Sequence, residues 1–229
     1  MINHKYKIIF IHIPKCAGTS ISNLLFETKY LKWKEPNYDI HYGWCPKRKI
    51  HMQHATPNQL LELGLMDEST WNNYMKFTVV RNPWGRAESG YRWIRRTRKI
   101  RDSFENYITK SGKYKAILTD NSNKRYRGDH LNKQMDYLNV KGINKIDRVL
   151  RFEYIQNEMN ILLKDLGLSH LLLPVAQKGK KKKKHYSHFY DEYKKALVDK
   201  YFSDDIEHLG YEFIDKKSSK NIFNRIWLQ

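Results

Sequence analysis

Ile8-Ile9-Phe10-Ile11-His12-Ile13-Pro14-Lys15-Cys16-Ala17-Gly18-Thr19-Ser20 is the stretch whose reading decides the fold. Its apolar, partly β-branched run over residues 8–13 predicts a short strand covered on both faces. Pro14 and Gly18 punctuate a tight turn. Thr19 or Ser20 then caps a helix that carries Ile21, Leu24 and Leu25 and runs to about residue 30. A strand that enters a helix through a tight turn aims several backbone N–H groups at one point, with the helix dipole behind them. Lys15 adds a full positive charge, so the stretch reads as an anion cradle. It is not a Walker A loop, because Gly-Lys-Ser/Thr is missing.

Outward from the cradle, residues 50–55 read as a short second strand. Thr56 caps a helix with Pro57 at its first position, running through residue 64. Residues 76–81 form a clear buried strand, and Pro83 opens a basic helix to about residue 96. Residues 102–110 read as a helix, and the polar stretch 111–130 as mostly loop. Residues 147–152 form another core strand that leads into a helix over 153–167, and residues 187–210 hold one or two helices. Strands alternating with helices predict the α/β class, here a P-loop-containing three-layer fold with a central parallel β-sheet flanked by helices. Residues 1–215 read as a single domain and 216–229 as a tail. Ligands bind such sheets at the carboxyl ends of the strands, where the cradle and Arg81 both fall.

The bulk numbers narrow the partners. The chain has 229 residues and is 40% hydrophobic, enough for a sizeable core. Lys and Arg number 43 against 24 Asp and Glu, which gives a net charge of +19. That charge predicts an anionic partner without choosing among nucleotide, acidic polysaccharide, nucleic acid and membrane surface. No nucleic-acid recognition motif is visible, so only salt-sensitive, nonspecific binding to nucleic acid is expected. Cys16 and Cys45 are too few for a disulfide framework or a zinc site, and both are expected to be reduced. No apolar run approaches the ~18 residues of a membrane span. Residues 1–7 carry no signal-peptide pattern, so a cytoplasmic location is expected.

Two motifs in this order carry a resemblance. Pro14-Lys15-Cys16-Ala17-Gly18-Thr19-Ser20 resembles the 5′-phosphosulfate loop of sulfotransferases that use 3′-phosphoadenosine 5′-phosphosulfate (PAPS). Phe77-Thr78-Val79-Val80-Arg81-Asn82-Pro83-Trp84-Gly85-Arg86-Ala87-Glu88-Ser89-Gly90-Tyr91 resembles their 3′-phosphate motif. The nearest branch is the carbohydrate group (heparan and chondroitin type, family 2) with its bacterial relatives. His54-Ala55-Thr56, Arg151-Phe152-Glu153 and Asp204-Asp205-Ile206-Glu207 leading to Gly210-Tyr211-Glu212-Phe213 are further echoes.

The resemblance implies that PAPS is the co-substrate and that no metal is required. It puts the reacting phosphosulfate on Lys15, Cys16, Ala17, Gly18, Thr19 and Ser20, with Lys15 also catalytic at the oxygen of the breaking bond. Arg81 and Ser89, about two helical turns apart, would hold the 3′-phosphate. Lys178 and Lys180, in a lysine run that falls where the family folds a loop over the nucleotide, would reach it too. His54 is the candidate base, and His51, three residues earlier, competes for that role. His51, Glu153 and Trp44 are candidates for contacting the acceptor. The implied acceptor is a hydroxylated glycan, which the basic surface would allow to be polyanionic. Two alternatives stay open: a P-loop small-molecule kinase, and a sulfotransferase acting on a non-carbohydrate hydroxyl. The sequence leaves the oligomeric state open.

Overall fold

The structure, a computed structural model, describes residues 1–31, 35–141, 143–174 and 184–216. Lys178, Lys180 and the tail beyond residue 216 lie outside the described residues. The chain enters through β1 (Ile2–Asn3) and β2 (Ile8–Ile11), then turns into α1 (Gly18–Leu25). A small hairpin of β3 (Trp44–Cys45) and β4 (Ile50–His51) follows, then α2 (Pro57–Glu62), α3 (Glu68–Asn73) and β5 (Met75–Val80). Next come α4 (Pro83–Arg98), α5 (Phe104–Ile108), α6 (Lys115–Thr119), and a second hairpin of β6 (Asn139–Val140) and β7 (Ile143–Asn144). The chain closes with β8 (Arg148–Arg151), α7 (Ile155–Asp165), α8 (Glu192–Tyr201) and α9 (Ser203–Leu209).

The central sheet has the order β1-β2-β5-β8. β2, β5 and β8 are parallel, and β1 adds an antiparallel edge. The expected α/β sheet flanked by helices is therefore present, with one strand reversed. All four residues of β2 are buried, as its apolar run requires. Phe10 pairs in register with Phe77, and their rings stack 4.9 Å apart. The sheet shares an apolar core with Ile21 and Leu25 of α1, Leu60 of α2, Trp71 of α3 and Met159, Leu162 and Leu163 of α7. A second core joins α4 to α5, α6 and α8 through Tyr91, Ile94, Tyr107, Ile117 and Val198. Among the described residues, no helix is long and apolar enough to cross a membrane.

Three expectations need correcting. Residues 50–55 are not a strand of the central sheet. Ile50 and His51 pair only with Trp44 and Cys45, and the chain then tightens into a 3₁₀ turn over Met52–His54. Buried Met52 donates its N–H to Gly43 O (2.9 Å), and Gly43 N–H donates to Gln53 Oε1 (2.9 Å), which closes the hairpin on itself. Residues 111–130 are not mostly loop. They hold α6 and 3₁₀ turns at Gly112–Tyr114 and Gly128–Leu131, pinned by burial of Tyr114, Ile117, Leu118 and Leu131 in the second core. The first helix ends at Leu25 because Glu27 takes φ 52°, with a separate turn over Thr28–Tyr30. Its cap is Ala17 in the left-handed region, with no side-chain cap from Thr19 or Ser20. The cap at Thr56 does form as expected: it makes a reciprocal capping box with Gln59, and Pro57 opens the helix.

Gly18 does not serve a left-handed turn. A Cβ there would sit 1.6 Å from His12 Nε2, so the glycine exists to admit the imidazole against the loop. The Gly18→Ala variant is expected to lose about 1–3 kcal/mol of stability or more, as over-packing does. Urea unfolding measures this. Adding His12→Ala should return most of the loss. Strictly additive losses in the pair would show that the ring is not the obstacle.

Candidate active site

The loop between β2 and α1 holds two non-glycine residues in the left-handed region, Lys15 (φ 71°) and Ala17 (φ 61°). Each costs about 1–3 kcal/mol and persists only where the surroundings enforce it. Cys16 N–H donates to Ile13 O (3.3 Å) and Ser20 N–H to Ala17 O (3.0 Å), so these two ends of the cradle close the turn itself. The N–H groups of Ala17, Gly18 and Thr19 have no protein partner among the described residues. They form a three-donor nest at the start of a helix, suited to an anion. The Cys16 thiol points inward to Pro14 O and Gln134 Oε1, both at 3.8 Å. Burial pushes it up to about 11, so it stays a protonated thiol.

Arg81 leaves the end of β5 and reaches back to this loop. Its Nη1 donates to Lys15 O (3.0 Å), and its guanidinium lies 4.2 Å from the Phe152 ring centroid. A Cβ on Gly85 would sit 3.6 Å from Arg81 Nε, which places the guanidinium against the first turn of α4. Gly85 and Ser89 share a helix face at i, i+4, so Ser89 lies one turn further along the same side. Gln134, fully buried, fixes the Arg81 backbone: its Oε1 accepts from Arg81 N–H and its Nε2 donates to Arg81 O, both at 2.8 Å. Arg86 ties the loop from the other side, donating to Pro14 O (3.2 Å) and His130 O (3.3 Å) with Asp205 Oδ2 at 4.0 Å. Gln134 carries no local sequence signal for this role, whereas Asp205 lies in one of the echoes of the resemblance.

A cleft of about 240 Å³ opens beside the loop, lined among others by His12, Lys15, Thr19, His51, His54, Trp93, Arg127 and His130. His54 Nδ1 lies 2.5 Å from Asp129 Oδ2. A carboxylate only accepts, so in the neutral ring the proton sits on Nδ1 and Nε2 keeps its lone pair. Burial alone would raise the Asp129 carboxyl, but the charge and hydrogen bond of His54, with His130 and His51 nearby, hold it well below the usual carboxylate range. Asp129 therefore stays ionised at neutral pH. Burial drives His12 and His130 well below the ordinary imidazole value, helped by the neighbouring His54, so both are neutral. His51 is drawn down to about 4, mainly by burial and also by Arg127. Its Nε2 is already engaged, 2.6 Å from Arg127 Nη1 and 3.1 Å from Tyr126 O.

Lys15 crosses α4 above Gly90, where an added Cβ would meet Lys15 Cγ at 3.9 Å, and carries its Nζ to 5.3 Å from the Trp93 ring. Arg127 and Arg98 flank the same ring at 5.9 and 6.0 Å. Arg98 Nε is buried without a hydrogen-bond partner among the described residues. Burial and the charge of Arg125 lower Arg98, while burial and Arg98 lower Arg127 to about 10, which marks a crowded cationic patch beside the cleft.

The structure thus brings Lys15, Thr19, His51 and His54 to one cleft. It does not bring Glu153 or Trp44 into that lining. Glu153 holds the backbone behind Arg81, accepting from Asn82 N–H (2.8 Å) and Tyr211 OH (3.0 Å). Trp44 leans on the His51 ring, 4.9 Å between centroids. Sequence reasoning missed Trp93, Arg127 and His130, which line the cleft, and Asp129, which holds His54 from behind it. Gly128-Asp129-His130 shows no periodicity and lies 75 residues from His54 in Asp129's case, so only the fold connects them.

One of three comparisons with known proteins shows a family. The model of the sulfotransferase family matches residues 1–212. No curated protein matches the chain. Among solved structures, a sulfotransferase from Alicyclobacillus acidocaldarius is similar with a TM-score of 0.45 and 12% identity, over 90% of this chain and 96% of that chain.

Proposed function

The chain belongs to the sulfotransferase family, and on that footing we propose that it moves a sulfuryl group from PAPS to a hydroxyl of a carbohydrate, with His54 as the base. The observation that carries this reading is the His54–Asp129 pair in the same cleft as Lys15. PAPS carries negative charge at both ends, and the chain offers two grips. One is the nest of Ala17, Gly18 and Thr19 with the hydroxyls of Thr19 and Ser20. The other is Arg81 with Ser89. When bound, PAPS supplies the sulfuryl group and a stable bisphosphate leaving group.

The chain's own residues do the rest. Arg81 and the loop amides hold the charge, while Glu153 accepts from Asn82 N–H and Tyr211 OH behind them. Lys15 places a cation where negative charge grows during an in-line transfer. His54 Nε2 accepts the proton of the acceptor hydroxyl, and Asp129 orients the ring and balances the imidazolium that forms. The cationic patch of Arg98, Arg125 and Arg127 favours a glycan that bears carboxylate or sulfate groups. We read residues 1–215 as one domain that carries all these parts.

Binding of adenosine 3′,5′-bisphosphate, followed by calorimetry, tests the cofactor. The folded chain should bind it, and Arg81→Ala should weaken binding by about 1.5–3 kcal/mol, the worth of a hydrogen-bonded charged contact. No heat of binding at millimolar ligand would refute PAPS as co-substrate. Labelled PAPS with a panel of glycans, phenols and lipids then identifies the acceptor class.

A further inference from the structure

We infer that His54, Asp129 and His130 form a binding site for a divalent transition ion such as Zn²⁺, and that the ion is an inhibitor of the enzyme. The inhibitory half rests on the proposed role of His54 as base; the binding half does not.

One ligand atom from each of the three residues lies within 4.8 Å of the others. Two imidazoles and a carboxylate are a donor set that suits zinc and leaves a fourth position open. The ring geometry agrees. The His54 and His130 centroids are 5.7 Å apart with planes at 78°. Two imidazoles bound to one tetrahedral ion at ~2.0–2.1 Å place their centroids roughly 5–6 Å apart. A second observation points to a missing partner. Asp129 Oδ1 and His130 Nδ1 are buried with no hydrogen-bond partner among the described residues, in side chains of residues only 7% and 6% exposed. Buried polar atoms left unpaired in this way call for a ligand.

The site is reachable, because His54 and His130 both line the cleft. The ion would take the place of the proton shared by His54 and Asp129, which passes to solvent. Their 2.5 Å contact must then open, since two ligands on one zinc ion stand roughly 3.3 Å apart. Lys15 and Arg127 at the same cleft oppose a further cation, so affinity should fall short of that of structural zinc sites. Imidazole ligands also discriminate against Mg²⁺ and Ca²⁺, which prefer oxygen. With its Nδ1 on the ion, His54 loses the Asp129 contact that makes it a base.

Cobalt(II) serves as the probe, added to the full chain without nucleotide. One ion per chain should bind with the intense visible bands of four- or five-coordinate cobalt, and Zn²⁺ should displace it one for one. Mg²⁺ should not. His130→Gln and His54→Gln should each weaken binding by more than about 100-fold, beyond the 10–100-fold that an outer partner costs. His208→Gln, on an exposed helix end, should leave it unchanged. Circular dichroism of each variant separates loss of a ligand from loss of fold, and His54, partly exposed, is the safer replacement. Absence of bound cobalt, a purely octahedral spectrum, or an unchanged spectrum in both folded variants would overturn the site. In turnover assays Zn²⁺ should inhibit and EDTA restore. Cobalt binding by a chain that never turns over PAPS would sink the proposed function and leave the site standing. Normal turnover without cobalt binding would do the reverse.

Discussion

Replacing His54 with alanine is expected to lower sulfuryl transfer by about 10²–10⁴-fold, the usual contribution of a positioned base. Adenosine 3′,5′-bisphosphate should bind as before, because no grip on the nucleotide passes through His54. The His54 tautomer decides this outcome. Asp129 Oδ2 accepts a hydrogen bond from Nδ1–H, which leaves Nε2 as the accepting nitrogen of the neutral ring. Asp129→Asn tests the same point without removing the ring. An amide can donate to Nδ1, which moves the proton to Nε2 and disables the base while geometry persists. Asp129 is thus a positioning residue, and its loss should lower kcat with little change in KM. His51 makes the contrast. Its Nε2 already faces Arg127 and the Tyr126 carbonyl, so His51→Gln should change kcat far less. Near-normal turnover in His54→Ala with normal acceptor binding would place the base elsewhere.

The parts of this site that the sequence exposes are those where one short segment does the whole job. Residues 8–20 contain a strand, its turn and the loop cation, and β5 with Asn82-Pro83 shows where Arg81 must sit. The cap at Ala17 and the true reason for Gly18 escape such reading, because the first depends on φ at a position without glycine and the second on a ring six residues upstream. Asp129 and His130 escape it for a stronger reason. They sit in a four-residue 3₁₀ turn whose position depends on Leu131 entering the second core and on Arg86 grasping the His130 carbonyl. A hydrophobic period cannot develop over four residues, so pattern reading returns a loop. The same limit explains β4, whose hairpin is set by Gly43 at φ 98° and by the Gln53 side chain, not by alternation.

Lys15→Met should lower kcat by about 10²–10³-fold, the loss expected when a single preorganised donor to a developing charge is removed. The residue is held at φ 71°, with its carbonyl fixed by Arg81 and its stem laid over Gly90, so the ammonium is positioned by the backbone and by α4. Methionine keeps the stem and removes the charge. The nest of three N–H groups and Arg81 remain, so affinity for the bisphosphate should fall much less than kcat. Lys15→Arg should not restore the rate, because a planar fork does not reproduce a compact ammonium at the end of that path. An equal fall in affinity and kcat would mean that Lys15 only binds. Combining Lys15→Met with His54→Ala sharpens the test. The leaving oxygen gains charge and the acceptor loses its proton in the same transition state, so removing one group reduces what the other can contribute. The double variant should therefore lose less than the product of the single losses. A fully multiplicative loss would place the two residues in separate steps.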